Sequence, residues 1–217
     1  MTRYGGTGVA NAKSDNLAPG VVFRFNLASS TYEVLTDFSS IGGGPYLSKH
    51  GILTPGTGSH ADTIYGLTAF GGAHDEGALF LMDETGGTPS LLHSFGDETD
   101  GAEPYGSLVM GLDGLFYGTT RKGGLHDDGT IFRIAQDGSL YEILGSFHAS
   151  TTGKEPIDNV TFSPDGQTLY GLTQFGGANG GGTIFSLAVV PEPSTCALVL
   201  TALAMGFIRS GRRKPVD

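Results

Sequence analysis

The 217-residue chain has no tryptophan, a single cysteine and few basic residues. Because Cys196 has no second cysteine to pair with, an internal disulfide framework is excluded. Lys and Arg number 12 against 22 Asp and Glu, and the part before residue 191 holds only 8 of those basic residues against 20 acidic ones. Nucleic-acid binding depends on neutralising phosphates with Lys and Arg, so a nucleic-acid partner is excluded. The same charge argues against docking on an anionic membrane surface.

Glycine and aromatic residues dominate what is present. The chain has 37 Gly, 13 Phe and 8 Tyr, and 38% of its residues are hydrophobic, which is enough for a buried core. A helical bundle is disfavoured because each Gly inside a helix costs about 1 kcal/mol. The composition therefore predicts an all-β protein with many tight turns.

A pattern of about 50 residues recurs along the chain. Tyr-Gly pairs begin at Tyr65, Tyr117 and Tyr170, with spacings of 52 and 53 residues, and a Gly-Gly pair follows each of them. A partial copy opens the chain, since GVVFRF (20–25) and YEVLTDF (32–38) match the later GTIFRI and YEILGSF. Recurrence within one chain marks positions that every structural unit needs, so we expect function to depend on what differs between copies.

Each copy is interpreted as four short antiparallel strands, which is typical of a propeller blade. In the second full copy the predicted strands are 106–110, 115–119, 129–135 and 140–147, with hairpin signals at Asp113-Gly114 and Asp137-Gly138. The prediction is a propeller-like array over residues 1–188, with a partial copy at 1–46 and copies at about 47–105, 106–157 and 158–188.

The strand counts of these copies are two, four, four and three, whereas propellers typically have four to eight blades. Three arrangements stay open: the first and last copies could pair into a fourth blade, the chain could form an open array, or it could be a fragment of a longer array. We favour the interpretation as a fragment of a longer array.

The stretch YGTTRKGGLHDDGTIFRI (117–134), taken together with a Leu-His-Ser-Phe-type strand and an Asp-Gly-x-x-Pro loop, resembles a known family. It is similar to the Gly-rich choice-of-anchor tandem repeats (GloVer-type) of bacterial exported proteins. The resemblance covers most of residues 1–187. It implies repeats that precede one of several surface-anchoring tails, and it implies no catalytic residue and no cofactor.

The C-terminal segment, residues 189–217, resembles the PEP-CTERM sorting signal in the order of its three parts. Pro191, Glu192 and Pro193 form the motif, and an apolar run and a basic cluster follow. The apolar residues singled out are Cys196, Leu198, Leu200, Leu203, Met205, Phe207 and Ile208, and the basic ones are Arg209, Arg212, Arg213 and Lys214. We expect a short hydrophobic helix of about 20 Å, for which bilayer thinning and snorkelling cover part of the shortfall against about 30 Å of hydrocarbon.

The resemblance implies that an exosortase recognises the Pro-Glu-Pro motif, that the hydrophobic segment halts export, and that the basic end stays cytoplasmic, as the positive-inside rule also expects. The expected location is an inner-membrane-anchored precursor, and then the cell surface or the extracellular matrix. The first residues, MTRYGGTGVANAK, contain no apolar region of a signal peptide. We therefore expect that the open reading frame is truncated or that its start is misassigned.

Candidate metal ligands fall in two equivalent loops, 74–76 (His-Asp-Glu) and 126–128 (His-Asp-Asp). The third copy has Asn-Gly-Gly there, which favours polar hairpin tips. The acidic loop 97–101 lacks the spacing of an EF-hand and is interpreted as a solvated turn. The glycine runs 42–44 and 180–182 have no Lys-Ser/Thr after them, and no Gly-x-Ser-x-Gly motif occurs. No catalytic residue, metal ligand or cofactor is therefore predicted.

Three functions stay open. The favoured one is an exported protein with a structural, adhesive or glycan-binding role, in which loops and exposed Tyr and Phe faces would contact extracellular polysaccharide. The alternatives are an exported propeller enzyme acting on polysaccharide and a matrix protein without a specific ligand. Clustering of non-repeated acids and aromatics at one end of the blades would favour the enzyme, and scatter would favour the matrix protein.

Overall fold

The structure, a computed structural model, describes residues 20–38, 53–96 and 99–189. Within them, thirteen strands form four antiparallel sheets, which we name sheets I to IV in chain order. Sheet I consists of β1 (Val21–Asn26) and β2 (Thr31–Asp37). Sheet II consists of β3 (Thr54–Pro55), β4 (Thr63–Thr68), β5 (Ala78–Asp83) and β6 (Ser90–Ser94). Sheet III consists of β7 (Val109–Met110), β8 (Phe116–Thr120), β9 (Thr130–Ile134) and β10 (Tyr141–Ser146). Sheet IV consists of β11 (Thr161–Phe162), β12 (Thr168–Leu172) and β13 (Ile184–Ala188).

Every sheet is a meander, because each strand pairs with the strands next to it in the chain. The all-β prediction is confirmed for the described residues, and the sheets have the two, four, four and three strands expected of the copies. The predicted C-terminal helix lies outside the described residues. In the part of the chain that is described, no helix has the length and apolar character needed to cross a bilayer.

The hairpin turns form where Asp-Gly pairs occur. In the turns at Asp113, Asp137 and Asp165, the carboxylate accepts a hydrogen bond from the amide two residues later, at 3.0–3.1 Å. The glycine that follows each Asp has a positive φ of 70–80°, which side chains with a Cβ rarely adopt. These local bonds fix the loop length, and so the register of the flanking strands.

One predicted strand is shorter than expected. The prediction ran from Gly106 to Met110, but β7 begins only at Val109. The amide of Ser107 donates instead to Oδ1 of Asn159 at 2.9 Å, so this part of the chain is bound to the segment leading into sheet IV.

The sheets pack face to face in chain order, with an apolar core in each gap. Between sheets II and III the rings of Tyr65 and Phe116 lie 4.7 Å apart, and those of Phe95 and Phe132 lie 5.3 Å apart. The I–II core contains Val22, Phe38, Phe80 and Met82, and the III–IV core contains Tyr117, Ile131, Phe147, Val160 and Leu169. The positions that recur in the sequence are therefore the positions that fill the gaps.

Glycine recurs after the core tyrosines because an aromatic ring covers it. A Cβ at Gly118 would lie 2.6 Å from Cζ of Phe132, a residue whose side chain is fully buried. Without a Cβ, the ring lies directly on the neighbouring strand.

We expect Gly118→Ala to lower the free energy of unfolding by about 1–3 kcal/mol, because the Phe132 ring must move within a packed core. The matched control is Gly145→Ala, where a Cβ meets nothing within 4 Å, and its effect should stay within about 0.5 kcal/mol. Urea denaturation of both variants measures the difference. Equal effects of the two substitutions would contradict this role of the ring.

Candidate functional site

A cleft of about 770 Å³ opens between sheets II and III. It lies at the end of the sheets where β6 and β10 both end, and the loops carrying His74 and Leu125 border it. Its volume is in the range of small-ligand sites.

His93, near the end of β6, lines this cleft. Its ring stacks on Tyr141 of β10, with centroids 4.0 Å apart and planes 15° apart, and it meets the edge of Phe95 at 4.8 Å. Its Nε2 lies 3.0 Å and 3.1 Å from the two carboxylate oxygens of Asp100. The imidazole therefore contacts two aromatic rings, one stacked on its face and one edge-on, and its Nε2 lies beside a carboxylate.

Asp100 is fixed through its backbone as well as its side chain. The hydroxyl of Tyr141 donates to the carbonyl oxygen of Asp100 at 2.7 Å. The side chains of His93 and Asp100 remain 20% and 13% exposed, so both border the cleft without being sealed from it. The three residues come from two sheets and the segment that joins them.

The walls combine apolar and hydroxyl groups. Leu125, Ile143 and Leu144 supply apolar surface. The hydroxyl oxygens of Ser94 and Ser146 accept the amide protons of Ala73 and Leu125, each at 3.3 Å, which holds both hydroxyls on the wall. An apolar surface with a rim of polar groups can bind a ligand that is itself apolar on its faces and polar at its edges.

His93 is not among the site residues predicted from the sequence, although the repeats carry a signal for it. The repeat places Gly145 at its position in the next copy, and Thr152 at the position of Asp100. Both residues therefore differ from the next copy, whereas Tyr141 matches Tyr32 of the first copy. The acidic loop 97–101 was interpreted as a solvated turn, but its residue Asp100 lies in the cleft, and Asp97 and Glu98 lie outside the described residues.

The segment after Asp100 locks sheet II to sheet III. The amide of Glu103 donates to the carbonyl of Glu76 at 2.7 Å, and its own carbonyl accepts from the amide of Arg121 at 3.0 Å. The next copy repeats this at Glu155, whose amide donates to Asp128 and whose carbonyl accepts from Gln174. Both glutamates have a left-handed backbone, with φ of 54° and 55°.

The carboxylate of Glu103 is buried and doubly paired. Its oxygens lie 3.0 Å from Nε of Arg121 and 2.7 Å from Nζ of Lys122. Arg121 also reaches Glu155 at 3.5 Å and lies over the ring of Tyr105 at 5.3 Å. This network holds the loop that carries Asp100.

Removing the carboxylate of Glu103 should destabilise the fold, because Arg121 and Lys122 would lose the buried carboxylate with which they pair. We expect Glu103→Ala to lower the free energy of unfolding by about 3 kcal/mol. Glu142 pairs with Arg133 but is 46% exposed, so Glu142→Ala should cost less than about 1 kcal/mol. Denaturation of both variants at low and high salt measures this, and a cost at Glu103 no larger than at Glu142 would contradict it.

The two loops first considered as metal ligands use their carboxylates within the turn. Oδ1 of Asp75 accepts from the amide of Gly71 at 3.2 Å, and Oδ1 of Asp127 accepts from that of Gly123 at 2.9 Å. Over residues 20–38, 53–96 and 99–189, no three His, Cys, Asp or Glu side chains are grouped as a metal site would need. The sorting motif, the apolar run and the basic cluster predicted after residue 190 all lie outside the described residues.

A second cleft, of about 250 Å³, lies between sheets III and IV. There Tyr117 donates from its hydroxyl to Oδ2 of Asp113 at 2.6 Å. Burial, followed by this hydrogen bond, raises the pKa of Tyr117 to about 12. The phenol therefore stays protonated and serves as a structural donor.

Comparison with solved structures indicates the fold. The chain is similar to a chain of a nidogen/laminin complex, with a TM-score of 0.50, 14% identity, and coverage of 78% of this chain and 55% of that one. It is also similar to TolB from Acinetobacter baumannii (TM-score 0.48, 14% identity, 79% and 36% covered) and to the gluconolactonase XC5397 from Xanthomonas campestris (0.47, 18%, 82% and 47%). The chain thus spans between about a third and a little over half of these structures. At such identities the likeness concerns the fold alone, an all-β propeller-like repeat.

Comparison of sequences establishes the family. No curated protein matches the sequence. The family model described as the Gloeobacter/Verrucomicrobia repeat matches residues 53–202, which is more than half of the chain and includes sheets II, III and IV. The predicted resemblance to this type of repeat is therefore confirmed, and the chain belongs to the Gloeobacter/Verrucomicrobia repeat family.

Proposed function

We propose that this chain is an exported, non-catalytic β-repeat protein that binds neutral extracellular polysaccharide in the cleft between sheets II and III. Its role is structural or adhesive, at the cell surface or in the extracellular matrix. The observation that carries the proposal is the meeting of His93, Asp100 and Tyr141 at this cleft, where His93 and Asp100 differ from the equivalent residues of the next copy.

The chemistry of the cleft suits a sugar chain. A pyranose ring has C–H faces that pack on apolar and aromatic surface, and hydroxyls at its rim that need hydrogen-bond partners. Leu125, Ile143 and Leu144 supply the apolar surface, while Asp100 and the serine hydroxyls supply polar partners. Ligand sites commonly combine mostly apolar walls with a few fixed polar groups in this way.

The charge of the chain restricts which polysaccharide would bind. Before residue 191 acidic residues exceed basic ones by 20 to 8, and Asp100 itself borders the cleft. An anionic polysaccharide would be repelled, more strongly at low ionic strength, where screening is weaker. A neutral polysaccharide meets no such barrier.

The proposal that the protein is exported depends on the C-terminal segment, residues 189–217. In this proposal an exosortase recognises Pro191, Glu192 and Pro193, and the apolar run with its basic end holds the precursor in the inner membrane until processing. The resemblance of these three parts to a PEP-CTERM signal supports this. Mass spectrometry of the mature C-terminus from the source cell checks it. An end between residues 190 and 194 supports sorting, and retention of Asp217 in a cytoplasmic protein overturns it.

Binding is tested with the full chain and defined polysaccharides. We expect glucomannan or dextran to bind and alginate not to bind, and we expect His93→Ala to weaken binding at least tenfold. The matched control is His60→Ala, in the turn Gly58–His60 between β3 and β4 at the opposite end of sheet II, which should bind like the parent. Equal weakening by both variants, or binding only of alginate, would contradict the proposal.

An enzyme remains the second candidate, because the His93–Asp100 pair resembles an oriented general base and lies in a cluster at one end of the sheets. Incubation of the chain with the same polysaccharides separates the two functions. New reducing ends or unsaturated ends, lost in Asp100→Asn, would establish catalysis. Binding without any cleavage supports the non-catalytic role.

A further inference from the structure

The two outermost sheets each leave one face without a partner sheet among the described residues. On sheet I this face, which we call the leading face, carries four apolar side chains on β1 and β2. Phe23 lies opposite Val34 and Phe25 lies opposite Tyr32 in the ladder, so all four share one face. They are between 36% and 73% exposed.

The repeat shows what this leading face is built to contact. The equivalent residues of sheet III are Phe132, Ile134, Tyr141 and Ile143, and they pack against sheet II. Phe132 and Ile134 are 0% and 1% exposed there. The same side chains that fill a gap inside the stack are therefore in contact with water on sheet I.

On sheet IV the face without a partner sheet, which we call the trailing face, carries Tyr170, Leu172 and Ile184. These side chains are 42%, 49% and 81% exposed. Their equivalents in sheet II are Tyr65, Leu67 and Leu79, which face sheet III and are at most 2% exposed. The trailing face of sheet IV therefore carries side chains equivalent to those of sheet II that pack against sheet III.

We infer that a second copy of this chain packs head to tail on the first, with the leading face of sheet I in one copy against the trailing face of sheet IV in the other. The gap between sheets II and III already shows such a pair of faces in contact. The side chains named on the two faces are all uncharged, so their contact buries no unpaired charge.

A pair of copies brings a number of sheets that a closed ring can hold. One copy brings four sheets, two of them incomplete, whereas two copies joined head to tail bring eight. Propellers typically close with four to eight blades. A head-to-tail contact between two different faces closes into a ring when the rotation per copy allows it.

The association is tested on the full chain by light scattering over a range of concentrations. We expect a concentration-dependent species of twice the 22.4 kDa of one chain. Phe25→Asp and Ile184→Asp should each raise the dissociation constant at least tenfold. The matched control is Leu27→Asp, at a turn residue that is 86% exposed, and it should associate like the parent. Circular dichroism checks that each variant is folded.

Mixing the two face variants tests the head-to-tail arrangement itself. The Phe25→Asp chain keeps an intact trailing face and the Ile184→Asp chain keeps an intact leading face, so a mixture restores one native contact. We expect a heterodimer in the mixture that neither variant forms alone. No heterodimer, a parent that is monomeric at all concentrations, or association unaffected by either substitution would each overturn the inference.

Discussion

The packing of one sheet's aromatic face on the next sheet is the interaction on which the rest of this structure depends. Most strands are five to seven residues long, and a sheet of such strands needs an apolar face to be stable. Their large side chains become fully buried only in the gaps, as Tyr65 and Phe116 do between sheets II and III. Each sheet therefore derives its stability from its neighbours, which is the behaviour of a repeat protein.

This dependence explains which features could be predicted from the sequence. A residue that every gap needs must recur along the chain. Tyr65 and Tyr117, and likewise Phe80 and Phe132, therefore appear as a pattern with a period of about 50 residues. The Asp-Gly turns are equally local, because the Asp carboxylate bonds to an amide only two residues away. The all-β class, the strand counts and most of sheet III follow from such short-range signals.

The candidate site could not be predicted in the same way. His93 bonds to Asp100 seven residues later, and the hydroxyl of Tyr141 reaches back 41 residues to the same Asp100. These contacts cross from one sheet to another, and no motif with a fixed spacing encodes them. The ion pairs of Glu103 with Arg121 and Lys122 are of the same kind. In the sequence, His93 and Asp100 are marked by their difference from the next copy, and this difference becomes meaningful once the sheets are seen to meet there.

The central claim, that covered faces stabilise each sheet, is tested most directly by native-state hydrogen exchange of the full chain. We expect the slowest exchange in β4, β5, β8 and β9, whose sheets are covered on both faces, and faster exchange in β1, β2, β12 and β13. Protection in these outer strands should also rise with protein concentration. Outer strands that are as protected as β8 at every concentration would contradict it.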